Sequence, residues 1–195
     1  MAIDFLYVQW VKRPLDLLLA ISLFFLSSPI IFAVFVFLAA TNRGRGIFRQ
    51  QRIGRGEVPF IIYKFRTLED DGHTPVWGGR LLRKTSLDEL PQLWNVLRGE
   101  MSLIGPRPLY AEYLQYYSTQ HRRRHEVRPG ITGLAQVNGR NTLTWSERFD
   151  YDVQYVAGLG PRLDLEIVLK TIRVLFAFRA ADFHQQDLAP FKGYE

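Results

Sequence analysis

The sequence predicts an α+β chain, mainly helical with a short β-hairpin, and monotopic in a membrane through an N-terminal re-entrant helix-break-helix. Three observations predict this. Leu17 to Ala40 carries no charged residue. Ser27-Ser28-Pro29 falls near the middle of that run. The stretch GIFRQQRIGRGEVPFIIYKFRTL places β-branched and aromatic residues on either side of a glycine turn, which favours a hairpin.

The apolar run of about 24 residues would extend about 36 Å, more than a hydrocarbon core of about 30 Å. A cleaved signal peptide would have an apolar region of about 7–15 residues, so that reading is poor. A buried core helix is the alternative. Pro29 removes a helical donor and its ring crowds the carbonyl of Phe25. In lipid that carbonyl needs a partner, and the adjacent serine hydroxyls can rearrange the local hydrogen bonding. Each arm, about 18 Å long, suffices to reach a midplane about 15 Å deep. Lys12 and Arg13 precede the run, and Arg43, Arg45 and Arg49 follow it. The positive-inside rule draws both ends to the cytoplasm, which predicts re-entry. A kinked single span is the competing topology.

The expected organisation is a membrane element over residues 1–42 and a cytoplasmic-face domain over 43–195, folding as one unit. The chain has 195 residues, enough for one domain with an appendage. It has no cysteine, which excludes a disulfide framework and thiolate metal sites. The net charge of +6 suggests an anionic partner: nucleic acid, acidic lipid or a phosphorylated substrate. The apolar run weighs against nucleic acid. A homo-oligomer is compatible with the sequence.

Residues 1–16 read as an amphipathic lead-in, with Phe5, Tyr7 and Trp10 suited to an interface. After the hairpin, EDDGHTPVWGG is a polar loop broken by Gly and Pro. A short helical piece starts at Leu81-Leu82, and a second helix runs from about Leu87 to Leu97 and stops at Gly99. LYAEYLQYYSTQHRRRHEV is helical, and its Arg122 to Arg124 suit either an anionic membrane surface or a solvated face. RPGITGLAQVNGRN is glycine-rich loop. Two further helices follow, split by Gly158, Gly160 and Pro161, and the last is apolar on more than one face. Asp150, Asp152, Asp164 and Glu166 read as helix-surface or capping residues.

The residues that can carry chemistry lie between Arg83 and Arg140. Arg107 sits in Gly105-Pro106-Arg107-Pro108, a stiff turn that presents a guanidinium suited to phosphate. Arg140 follows the tight-turn dipeptide Asn138-Gly139. His121 and His125 have metal-like spacing, but three arginines lie between them and zinc is disfavoured. Asp88 and Glu89 are adjacent acids after Ser86. Ser86-x-x-Glu89 fits a capping box that needs no function. The same pair can divide labour, one carboxylate as nucleophile and the other holding Mg²⁺ beside substrate phosphates. These residues alone leave both readings open.

Together the motifs decide. KRPLDLLLAISLFFLSSP, YKFRT, RKTSLDELPQLWNVLRGEMSLIGPRPL, RPGITGLAQVNGR and LDLEIVLKT resemble the small monotopic phosphoglycosyl transferases, the bacterial sugar transferase family. The resemblance covers nearly the whole chain. It implies a Mg²⁺-dependent enzyme that moves a sugar-1-phosphate from a UDP-sugar to polyprenyl phosphate, usually undecaprenyl phosphate, releasing UMP. It implies the nucleophile at Asp88, the Mg²⁺-associated acid at Glu89, and phosphate-binding residues at Arg83, Arg107 and Arg140. It places the membrane break at Ser28-Pro29. The implied setting is the cytoplasmic face of a bacterial inner membrane, among anionic lipids, at the first membrane step of glycoconjugate assembly.

Overall fold

The computed structural model describes residues 6–139, 142–176 and 191–193. Phe5 and Arg140 therefore lie outside the described residues. The α1 helix spans Lys12–Thr41, and a single π-helical turn, Tyr7–Val11, leads into it. One stripe of α1 turns inward along its full length: Asp16, Ala20, Phe24, Ser27, Ile31, Val34 and Leu38 are buried or half-buried. These steps of three and four residues mark one helix face. The N-terminal arm puts Ala20 into a cluster with Phe60, Ile62, Leu93, Val96 and Met101. The C-terminal arm puts Leu38 into another with Phe65, Val76 and Leu82. Both arms therefore rest on the same body. The opposite face exposes Leu18, Phe25, Leu26 and Phe32 at 63 to 78%. This is the single helix among the described residues long and apolar enough to cross a membrane.

The expected break at Ser28-Pro29 does not interrupt the helix, which continues through Pro29. Pro29 cannot donate to the Phe25 carbonyl, but the Ser28 hydroxyl does so at 2.8 Å. Ser27 Oγ donates to Leu23 O at 2.6 Å. The Ser28 hydroxyl thus replaces the missing backbone bond at Phe25, and the helix stays intact.

The flanking cations also differ from expectation. Lys12 Nζ contacts Asp164 Oδ2 at 2.7 Å, and Tyr7 OH donates to the same oxygen at 2.7 Å. Arg13 Nη1 donates to Val96 O at 2.9 Å. Asp16 accepts from Ser102 Oγ at 2.7 Å and Leu103 N at 3.2 Å. These charges dock α1 onto the body. Tyr7 is accordingly buried rather than interfacial, whereas Trp10 is exposed.

The hairpin forms as expected. β1 (Ile47–Ile53) pairs antiparallel with β2 (Pro59–Phe65), from Ile47 opposite Phe65 to Ile53 opposite Pro59. Asn95 covers the outer edge of β2: its side chain accepts from Tyr63 N at 3.2 Å and donates to Ile61 O at 2.6 Å. Asn95 belongs to α3 (Gln92–Arg98), which ends at Gly99 with φ 83°. Before it come α2 (Gly79–Lys84) and a 3₁₀ turn, Leu87–Glu89.

The Ser86 capping box does not form. Ser86 is left-handed at φ 57°, and its side chain caps nothing. The helix starts at Gln92, after Pro91, not at Leu87. The capping box that does form is Thr144 with Glu147, at the head of α6 (Trp145–Gly158).

A parallel pair, β3 (Ser102–Ile104) with β4 (Gly130–Thr132), lies where the sequence suggested loop. A Cβ on Gly130 would collide with Gly105 N, so this crossing needs glycine. The tyrosine- and arginine-rich stretch folds as a 3₁₀ turn (Ala111–Tyr116), α4 (Thr119–Arg122) and another 3₁₀ turn (Arg123–Glu126). Of its arginines, Arg122 and Arg123 are solvent-exposed as a solvated face would have them, whereas Arg124 is buried. Arg122, Arg123 and Arg124 pair with Glu57, Glu126 and Asp152 at 3.0, 3.0 and 2.8 Å. Asp152 and Asp164, expected at helix surfaces, are buried. The elements α5 (Leu134–Asn138) and α7 (Pro161–Phe176) complete the described fold.

Ala20 is fully buried against its cluster, so a larger side chain there overpacks the contact. Ala20→Leu should destabilise the protein by about 1–3 kcal/mol. Leu26→Ala on the exposed face should shift stability by less than about 0.5 kcal/mol. Thermal unfolding of both variants in detergent checks this.

Candidate active site

Three distant parts of the chain meet at one oxygen. Glu89 Oε1 lies 2.7 Å from Lys64 Nζ and 2.7 Å from Arg107 Nη2. Lys64 comes from β2, Glu89 from the 3₁₀ turn and Arg107 from the turn after β3. Lys64 continues the even-numbered row of Phe60 and Ile62, so strand alternation aims it at the same face. The Glu89 and Lys64 side chains are 15% and 19% exposed, and Arg107 is about half exposed. Burial alone would push the Glu89 pKa up, but the Arg107 and Lys64 cations outweigh it and hold the carboxyl well below the usual range. The Arg107 pKa is raised, chiefly by Glu89.

Asp88 is the opposite case. It forms no hydrogen bond or ion pair with the described residues. Burial, with the Glu89 charge second, raises its pKa to about 6, against the pull of Lys64, Arg107 and Arg83. Neighbours in a 3₁₀ turn diverge by about 120°, so one acid can take the ion pairs while the other stays free. The site thus holds an uncommitted carboxylate ringed by three cations. That suits attack on an electrophile bearing negative charge.

Of the expected site residues, the structure brings together Asp88, Glu89 and Arg107, with Arg83 near enough to act on the Asp88 charge. Ser28 and Pro29 sit on the membrane helix, away from this cluster. Lys64 was missed, although a lysine in an inward strand row is a readable signal. Arg124 was also missed: its Nη2 donates to Arg107 O at 2.7 Å, while its Nε donates to Asp152 at 3.0 Å. Arg124 thereby fixes the turn that carries Arg107.

Among the described residues, no group of three or more His, Asp or Glu side chains stands together as a metal cage. Mg²⁺ commonly takes one or two carboxylates and completes its shell with substrate phosphates and water. Glu89 Oε2, left over from the ion pairs on Oε1, fits that mode.

The fold and site define a protein with one long apolar helix and a free carboxylate in a cationic surround. The comparisons agree. The bacterial sugar transferase family matches residues 7–178, and the chain belongs to that family. The uncharacterized sugar transferase EpsL of Bacillus subtilis is 44% identical over 172 residues, covering 83% of this chain and 85% of EpsL. A UDP-glucose:undecaprenyl-phosphate glucose-1-phosphate transferase of Caulobacter vibrioides is 39% identical over 183 residues, covering 83% of this chain and 68% of the relative. A UDP-N-acetylgalactosamine-undecaprenyl-phosphate N-acetylgalactosaminephosphotransferase of Aeromonas hydrophila is 36% identical over 184 residues, covering 85% of this chain and 44% of the relative.

Glu89→Gln removes the nearest negative charge from Asp88 and leaves Lys64 and Arg107 unpaired beside it. The Asp88 pKa should then fall from about 6 toward the ordinary aspartate value. Carboxyl ¹³C NMR of labelled aspartate across a pH series reads this directly.

Proposed function

We propose that this protein transfers a sugar-1-phosphate from a UDP-sugar to a polyprenyl phosphate such as undecaprenyl phosphate. One observation carries the reading: Asp88 is unpaired while its neighbour Glu89 absorbs the cations. The names of the related transferases supply the substrate class.

The Asp88 carboxylate attacks the sugar-bearing phosphorus, and the bond to the UMP oxygen breaks. UMP leaves with that electron pair. An oxygen of the polyprenyl phosphate then attacks the aspartyl phosphosugar, which frees Asp88 and yields the polyprenyl-diphosphate-sugar. Arg107, Arg83 and Lys64 offset the charge that moves between entering and leaving oxygens. Arg140, outside the described residues, is assigned the same role by its place in the motif. Mg²⁺, held by Glu89 together with phosphate oxygens, would supply further charge neutralisation.

The re-entrant reading of the membrane element rests on its two basic flanks, since α1 itself runs unbroken through Pro29. Both arms of α1 pack on the body that carries Asp88, which supports a segment that stays with that body along its whole length. The acceptor phosphate lies at an interface, and an enzyme embedded in the cytoplasmic leaflet of a bacterial inner membrane reaches it there.

Asp88→Asn should abolish Mg²⁺-dependent UMP release and leave membrane association intact. The nucleophile is the ionised form, populated above its pKa. Wild-type kcat/KM for UDP-sugar should therefore fall tenfold per pH unit below about 6. Turnover by Asp88→Asn at the wild-type rate would sink the assignment.

Cysteines placed at Ala2 and at Arg45 should both react with an impermeant maleimide from the cytoplasmic side alone. Reaction from opposite sides would establish a crossing helix instead.

A further inference from the structure

Beside the Glu89 ion pairs lies a recess lined by Arg52, Ile62, Lys64, Gln92, Arg107 and Pro108. Two of its residues bring unsatisfied donors. Gln92 is 2% exposed, and its side-chain amide nitrogen has no hydrogen-bond partner. Arg52 Nε is likewise buried and unpartnered. Native folds rarely leave buried donors unmatched, and two in one recess point to a ligand that accepts.

The sequence places these groups together. Arg52 pairs opposite Phe60 in the hairpin register, so it shares a face with Ile62 and Lys64. Gln92 opens α3, three residues after the 3₁₀ turn that carries Glu89. The Arg52 guanidinium lies 3.5 Å from the Tyr110 ring centroid, and its Nη2 donates to Gln50 Oε1 at 2.7 Å. Its orientation is thus set, with Nε left over.

Charge selects the ligand. Arg52, Lys64 and Arg107 bring three cations, and Glu89 brings one committed carboxylate. Burial lowers the Arg52 and Lys64 pKa values, so an anion here would relieve both. A sugar ring or a uracil edge needs acceptors as well as donors, and this lining is mostly donors.

We infer that Arg52 and Gln92, with Lys64 and Arg107, form a subsite for a phosphate monoester. This rests on the proposed transfer reaction. In an in-line displacement, UMP departs opposite Asp88 and the polyprenyl phosphate later attacks from that same side. Both are phosphate monoesters, so one recess serves them in turn. Ile62 belongs both to the recess and to the buried cluster of Ala20 on α1. The recess therefore shares a wall residue with the core that seats α1.

The test uses the full chain in nanodiscs. Calorimetry measures UMP and uridine binding, and steady-state kinetics measure KM for a polyprenyl phosphate at saturating UDP-sugar. Gln92→Leu should weaken UMP binding about tenfold, the loss expected for a hydrogen bond to a charged group, and leave uridine within about twofold. The polyprenyl phosphate KM should rise by about the same factor. Arg52→Lys keeps the charge but loses the fork and should give a smaller loss of the same kind. If Gln92→Leu fails to fold, the isosteric Gln92→Glu replaces it and should weaken both ligands more. Loss on UMP alone assigns the subsite to the nucleotide, and loss on the lipid alone assigns it to the acceptor. Uridine weakened as much as UMP, or neither phosphate ligand affected in folded variants, overturns the inference. Absence of UMP release by the wild-type protein would sink the transfer reaction itself, while UMP calorimetry still reports on the recess.

Discussion

The site depends on one carboxylate oxygen, Glu89 Oε1, held between Lys64 and Arg107. The three residues are separated by 25 and 18 positions in the chain. No local structure brings them together; the hairpin, the 3₁₀ turn and the turn after β3 must all be in place first. Breaking one partner from a buried pair costs about 3–5 kcal/mol, because the remaining charge is stranded. Glu89 thereby holds the architecture, and Asp88 is left free. That freedom has an energetic cost. Keeping Asp88 near 6 instead of 3.8 makes its ionised form about 3 kcal/mol less favourable than in water. The fold tolerates a destabilised carboxylate at the position that the proposed reaction uses as its nucleophile.

The surrounding polar contacts make this arrangement rigid. Asn95 ties α3 to the free edge of β2 and so sets the height of Lys64 relative to Glu89. Arg13 caps the last carbonyls of α3 from the membrane helix. Arg124, neutralised by Asp152, grips the carbonyl of Arg107. Each element that presents a site residue is thus fixed by a charged or amide side chain on another element. Apolar packing alone would leave such short segments free to slide.

Periodic features were legible in the sequence, and long-range polar pairing was not. The hairpin, α6, α7 and the apolar α1 follow from spacing and turn residues. The stripe of α1 that packs inward was hidden, because nearly all its faces are apolar. Ser86-x-x-Glu89 had the letters of a capping box, yet Lys64 and Arg107 offer Glu89 two cations where a cap offers one backbone N–H. Thr144-x-x-Glu147 faces no such competition and forms the cap. Arg122 and Arg124 read as part of a basic face because their partners, Glu57 and Asp152, are 65 and 28 residues away. The parallel β3–β4 pair has three-residue strands, too short for alternation to register. Asp88 and Glu89 stood out through the motif around them, not through any local physical signal.

The placement of Ile62 connects membrane and chemistry. It packs in the cluster that seats Ala20 of α1, and it also walls the recess beside Lys64 and Arg107. The next inward residue of β2 is Lys64 itself. A strand that alternates every second residue therefore carries, within three positions, a member of the cluster that seats α1 and a contact to Glu89. Any tilt of α1 against β2 would move Lys64 with it. The long inward stripe of α1, continuous through Pro29 because Ser28 supplies the missing hydrogen bond, resists such a tilt along the whole helix. Ser28 thus keeps α1 one continuous helix whose two arms both rest on the body that carries Lys64 and Glu89.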